Sequence, residues 1–266
     1  MRASPDIDSL PCVQLVCLEH TNELRASLAI HGNTSDPDIQ SIESSIAIDG
    51  PTASGKTVIG RALARRLNIP FCDTGLMYRA ATHAVLRSDV DIQDSAGVVA
   101  LLQVTKLDLR WTDPAIPEVL LNDIPIDEEL REPLVEQQVS AVAKLPDVRS
   151  LLVQRQRHFA SRAPIIMVGR DIGKVVLTEA RTKLFLDASL EVRSARRHAD
   201  QVRAGRDFSL GQVTEATHRR DSADDTGNRS IRPEQAAEDA LLIITDSLTE
   251  EQVTDQCLDH YYSMRP

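Results

Sequence analysis

The feature that most constrains this chain is the stretch Gly50-Pro51-Thr52-Ala53-Ser54-Gly55-Lys56-Thr57, which fits G-x-x-x-x-G-K-[ST] without a gap. It follows the apolar run SIAID and precedes a helical pattern from about Lys56 to Leu67, the strand–loop–helix setting that the motif requires. In such a loop the glycines let backbone N–H groups close around phosphate oxygens, and the helix directs its positive end at them. Lys56 is expected to reach the β- and γ-phosphates of a nucleotide, and the Thr57 hydroxyl to take a place around Mg²⁺. All of residues 50–57 are therefore nucleotide-binding candidates. The loop alone does not choose a reaction.

From Ser45 onward, short β-rich apolar runs alternate with helical patterns: SIAID, IPFCD, PIIMVG (164–169), TKLFLDA (182–188) and ALLIITD (240–246). Continuous apolar strands bounded by turns and separated by helices imply a parallel sheet covered on both faces. The expected fold is α/β, a P-loop NTPase core with a five-stranded parallel sheet and helices on both faces. Two segments interrupt the rhythm. Residues 88–160 hold short strand candidates and then helices near 133–144 and 147–160, an inserted α+β subdomain. Residues 190–235 are helical and rich in basic residues, a cover returning to the last strand. The core is thus expected over 45–87, 161–189 and 236–258, within a domain of 45–258. Residues 1–44 read as an N-terminal extension, ordered or disordered, whose HGNTSDPDIQSIESS is a linker by composition; 259–266 read as a C-terminal tail.

Composition narrows the partners. The chain is 266 residues long with 40 acidic against 30 basic residues, a net charge of -10, which argues against a general polyanion binder. Only 3% of residues are aromatic, so base stacking on the surface is a poor route to nucleic acid. If the substrates carry phosphates, the basic side chains must be concentrated locally. Cys12, Cys17, Cys72 and Cys257 show no metal-ligand spacing and are expected to be free thiols in a reducing cytoplasm. No apolar run approaches the roughly 20 residues that span a bilayer. Acidic residues at Asp6, Asp8, Glu19 and Glu23 disfavour a signal or transit peptide. A cytoplasmic monomer without nucleic-acid or membrane partners is expected.

After the second apolar run comes Asp73-Thr74-Gly75-Leu76-Met77-Tyr78-Arg79. This DTGLMYR resembles the D-[ST]-G-x-x-Y-R stretch of bacterial-type cytidylate (CMP) kinases. The resemblance continues through SAVAKLPDVRSLLVQRQRHF, VGRDIGKVVLTEARTKLFLDAS and RPEQAAEDALLIITDSLTEEQV, in the family's order, and covers residues 45 to about 258. GRDIG after an apolar strand is its most specific part. The loop GPTASGKT also reads like that of tRNA dimethylallyltransferases, but those have no counterpart to GRDIG. A guanine-reading N-K-x-D motif is absent from the chain.

The chemistry explains why these residue types belong together. Transfer between two nucleotides brings two polyanions within bonding distance, so arginines and Mg²⁺ must screen their repulsion. Arginine suits this because its planar fork bonds two phosphate oxygens and stays charged. Arg79, Arg149, Arg170, Arg220 and Arg229 each fall in a segment expected to border one cleft. The resemblance implies that ATP is the donor and that Mg²⁺ accompanies it. It also implies that CMP or dCMP is the acceptor, with Arg79 and Arg170 holding its phosphate and Thr74 and Tyr78 beside it. Ser140, Arg149 and Asp171 would read the cytosine edge: a carboxylate suits the exocyclic amino group and would face a carbonyl in uracil. Lys56, Arg170, Asp171, Arg220, Arg229 and Asp224 form the implied catalytic set. Kinases with another acceptor, such as UMP, are the alternative, beside a dimethylallyltransferase-like transferase.

The chain departs from the family pattern in three places. The family often carries an acidic residue before GRD, where Val168 stands here, so Asp49 or Asp73 would have to serve Mg²⁺ instead. The lid pattern R-D-x-x-D-[ST]-x-R is stretched: Arg220 and Arg229 lie nine positions apart rather than seven, which leaves Asp224 and Asp225 both open as the lid's effective aspartate. The N-terminal extension has no counterpart in the family.

Overall fold

The computed structural model describes residues 36–225 and 232–265. In chain order the elements are α1 (Pro37–Glu43), β1 (Ile46–Asp49), α2 (Lys56–Leu67), β2 (Phe71–Asp73), α3 (Thr74–Leu86) and α4 (Ser95–Val104). They continue with β3 (Leu107–Asp113), β4 (Ile116–Leu121), β5 (Ile124–Pro125), α5 (Pro133–Lys144), α6 (Pro146–Arg162), β6 (Ile166–Val168) and β7 (Thr182–Asp187). The last are α7 (Leu190–Arg203), α8 (Leu210–Asp225), β8 (Leu241–Ile244) and α9 (Glu250–Ser263).

Five strands form one parallel sheet in the order β2-β6-β1-β7-β8. The strands are short and apolar because both of their faces are buried. Alternation along β1 divides its side chains between two cores. Ile46 and Ile48 join Ile59 and Leu63 of α2 and Val253 and Cys257 of α9, while Ala47 joins Met77 of α3 and Leu152 of α6. Each fully buried Ile or Phe contributes about 1.5–3 kcal/mol through its loss of apolar surface to water. Because every core strand points the same way, Asp49, Asp73 and the turn after Val168 all emerge at one edge of the sheet, where ligands of open α/β sheets bind.

The inserted segment holds the antiparallel sheet β3-β4-β5 and helices α4, α5 and α6, in agreement with the α+β reading. It does not have a core of its own. Leu109, Val119, Leu130 and Val142 belong to the same apolar cluster as Ala47 and Met167 of the main sheet. The β3–β4 turn also protects the sheet's edge strand β2: Phe71 N donates to Pro114 O at 2.7 Å, and Trp111 Nε1 donates to Phe71 O at 2.7 Å.

Two boundaries read from the sequence shift. Residues 37–43 are a helix rather than a linker, started by Pro37 at its first turn and by Asp36, whose carboxylate accepts from Asp38 N at 3.1 Å. This helix is tied to the main body, since Ser41 Oγ donates to Ala160 O at 2.7 Å and Arg181 N donates to Glu43 O at 3.1 Å. At the other end, α9 runs to Ser263, so 259–263 continue a packed helix whose Tyr261 is buried, and the tail is correspondingly shorter. Residues 1–35, with Cys12 and Cys17, lie outside the described residues, as does Arg229. Cys72 and Cys257 are free, buried thiols.

Candidate active site

The loop between β1 and α2 has the form expected of a phosphate cradle. Gly50 has φ of +141°, and a Cβ there would lie 2.0 Å from Leu186 O, so only glycine fits. Gly55 caps α2 in the left-handed region at φ 100° and offers no side-chain acceptor, which leaves the first-turn N–H groups of α2 to a ligand. Lys56 is buried and donates to Pro51 O and, at 3.3 Å, to Ser54 Oγ. Burial first, and the Arg170 charge second, hold its ammonium well below the usual lysine range.

Thr57 Oγ1 donates to Asp73 Oδ2 at 3.1 Å, joining the loop helix to the end of β2. The other oxygen of Asp73 accepts from Gly75 N at 3.0 Å and caps α3. Asp49 does something different. Its Oδ1 accepts from Ile172 N at 2.7 Å and its Oδ2 from Gly173 N at 2.8 Å. Both oxygens are committed to pinning the turn after β6; of the two acids weighed as substitutes at a metal, Asp73 lines the cavity, whereas Asp49 is buried and does not. Asp49 is 4% exposed, and burial pushes its carboxyl up to about 6 against the opposing pull of the two N–H donors, Lys56 and Arg170.

That turn carries Arg170 and Asp171 into the cleft and continues as a wide π-type turn over Ile172–Val176, closed by Leu177 N donating to Ile172 O at 2.7 Å. Arg170 Nη1 donates to Gly50 O at 3.1 Å, and its Nε donates to Asp224 Oδ2 of α8 at 2.8 Å. Asp171, 7% exposed, forms an ion pair with Arg149 of α6. Arg79 of α3 donates from Nη1 to Leu130 O at 3.1 Å, and its Nη2 lies 4.0 Å from Glu136 of α5. Thr74 Oγ1 donates to Val168 O at 2.9 Å, so its hydroxyl proton is spent on joining α3 to β6. Arg220 of α8 is crowded by cations: burial, then Arg170 and Arg197, lower its guanidinium to about 10.

These groups line one cavity of about 210 Å³. Its wall includes Thr52, Ala53, Lys56 and Thr57 of the loop, and Thr74, Tyr78 and Arg79 of α3. Ser140 of α5, Arg149 of α6, Arg170 and Asp171 after β6, and Arg220 and Asp224 of α8 complete it. Gly50, Pro51, Ser54 and Gly55 lie behind the wall and shape the loop. Of the residues expected at the site, only Arg229 lies outside the described residues.

Two groups escaped the sequence reading. Arg193 of α7 is buried and donates to Ala188 O at 2.9 Å and to Thr52 O in the loop at 3.3 Å, while pairing with Asp221 of α8 at 2.7 Å. It holds the start of α7, the phosphate loop and α8 together. Gln156 of α6 also lines the cavity. Both sit in runs of charged and polar residues that look like solvated helix faces.

A family model for cytidylate kinase matches residues 46–263. The chain belongs to the cytidylate kinase family. A cytidylate kinase of Corynebacterium glutamicum is 44% identical over 214 residues, which are 80% of this chain and 92% of that one. One from Nocardia farcinica is 41% identical across 79% of this chain and 90% of its own. One from Caldanaerobacter subterraneus is 39% identical across 79% and 91%. Among the described residues no helix is long and apolar enough to cross a membrane.

Proposed function

We propose that the protein transfers the γ-phosphoryl group of ATP to CMP, and to dCMP, giving ADP and the cytidine diphosphate. The observation that carries this reading is the convergence of Lys56, Arg79, Arg170 and Arg220, from four separate elements, on one cavity that also holds the Arg149–Asp171 pair. Burial first, and the neighbouring Arg170 charge second, lower both Arg220 and Lys56, and a bound polyanion would stabilise their charged forms.

ATP would lie with its phosphates on the loop 50–57, held by backbone N–H groups and Lys56. CMP would enter from the inserted segment, its phosphate on Arg79 and Arg170 and its base toward Ser140, Arg149 and Asp171. Asp171 accepts from the cytosine amino group, whereas a uracil carbonyl would set one acceptor against another beside a buried carboxylate. The segment 190–235 acts as the lid, bringing Arg220 and Arg229 to the transferring group and excluding water that would otherwise be phosphorylated. The oxygen of CMP attacks the γ-phosphorus as the bond to ADP breaks, and no covalent intermediate on the protein is needed. Catalysis is positioning and charge stabilisation.

The Thr57 hydroxyl and the Asp73 carboxylate are hard oxygen donors that fit Mg²⁺, which takes few protein ligands and keeps waters and substrate phosphates for the rest. A Mg²⁺ bound there supplies neutralisation of charge on the β- and γ-phosphates. The reading takes the protein to be a monomer working in the cytoplasm. The reading is tested on the Asp171→Ala variant: CMP turnover should fall by about tenfold or more while ATP binding persists. Equal weakening of both nucleotides would contradict the base-reading role.

A further inference from the structure

Gln156 lies on the face of α6 that carries Arg149 and Val153, at helical spacings of seven and three residues. Its side chain is 1% exposed, and its Nε2 has no hydrogen-bond partner. The cavity it lines also carries the apolar Val153, Ile172 and Val176. A buried amide donor without an acceptor costs free energy that a methionine or leucine of similar size would avoid. The economical account is that the acceptor arrives with the ligand. A neutral acceptor suits an amide donor, and Arg79 and Arg170 are already assigned to the phosphate.

We propose that Gln156 reads the base, donating from its carboxamide to the 2-carbonyl of the pyrimidine. The proposal rests on CMP being the acceptor. Cytosine presents two acceptors, O2 and N3, and one donor, the 4-amino group. The protein then answers with two donors, the Gln156 amide and the Arg149 guanidinium, and one acceptor, the Asp171 carboxylate. Uracil keeps the 2-carbonyl and differs only at positions 3 and 4. Gln156 therefore favours pyrimidines as a class, and Asp171 separates cytosine from uracil.

The test is steady-state kinetics of Gln156→Met with CMP and UMP, together with thermal denaturation. The KM for CMP should rise about tenfold, the loss expected when a buried carbonyl has no donor. UMP should lose by the same factor, leaving the CMP-to-UMP ratio of kcat/KM unchanged, and the KM for ATP should not move. The thermal midpoint should hold or rise, because the substitution removes a buried orphan donor. A residue that only supports the fold would show the opposite combination, a lower midpoint with the acceptor KM unchanged. Should the methionine variant fail to fold, Gln156→Glu keeps the shape and turns the donor into an acceptor; its CMP KM should rise further still. An unchanged CMP KM in either folded variant, or a shifted CMP-to-UMP ratio, overturns the role of Gln156 while leaving the kinase reading intact. Wild-type protein without CMP turnover overturns both.

Discussion

Arg170 Nε and Asp224 Oδ2 lie 2.8 Å apart, so the turn after β6 is joined to helix α8 by an ion pair whose side chains are only 16% and 8% exposed. The guanidinium assigned above to the acceptor's phosphate is thereby neutralised by a carboxylate of the lid segment. Removing one partner of such a pair leaves a buried charge. Asp224→Ala should lose about 3 kcal/mol of stability, a fall in thermal midpoint of about 6–12 °C. Added CMP should recover more of the midpoint in the variant than in the wild type, because its phosphate replaces the missing anion. Equal shifts with CMP in both proteins would show that Arg170 does not meet the acceptor.

Asp49 gives the enzyme an acid limb. Its folded carboxyl, raised to about 6 by burial, binds a proton more tightly than it does in the unfolded chain, where 3.8 applies. Its contribution to stability is therefore complete below about pH 4 and is lost as pH rises through about 6. The ionised form, however, is the one whose two oxygens are both free to accept from Ile172 and Gly173 and hold Arg170 and Asp171 in place. The rate kcat/KM should rise with a midpoint near pH 6, and Asp49→Asn should be slow and lack that limb. Urea denaturation between pH 4 and 7 should show the wild type losing stability relative to Asp49→Asn as pH rises. A limb that survives unchanged in the variant would assign it to another group.

Asp73 carries a charge where Thr57 needs a neighbour. Asp73→Asn keeps one oxygen to accept from Gly75 N, replaces the oxygen that faces Thr57 with an NH2 group to which the hydroxyl can only be an acceptor, and removes the charge. The fold should hold, and the Mg²⁺ concentration for half-maximal rate should rise about tenfold, roughly the worth of one charge on a partly exposed cation site. An unchanged Mg²⁺ requirement would exclude Asp73 from the metal's surroundings.

Much of this site was legible because its signals are local. GPTASGKT and GRDIG each compress a strand end, a tight turn and a charged side chain into a few residues, and the sheet then brings them together. What was not legible depends on contacts distant in sequence. The docking of α1 rests on Ser41 meeting Ala160, 119 positions away, which no linker-like composition reveals. Asp49 looks like a metal ligand from its place after β1; only the fold shows both of its oxygens taken by Ile172 and Gly173, more than 120 positions on. Gln156 and Arg193 lie in the runs QRQRH and EVRSARR, where a buried polar side chain and a solvated one read alike. Continuity of the core beneath β3, β4 and α5 was likewise hidden, because an insertion's apolar residues do not declare which core they join.

The central claim is tested most directly by ADP release at fixed Mg·ATP across CMP, dCMP, UMP and AMP, with Lys56→Ala as the blank. CMP and dCMP should stimulate release strongly, and UMP and AMP should be poorer by about tenfold or more. No stimulation by any monophosphate, or equal stimulation by all four, would contradict the account.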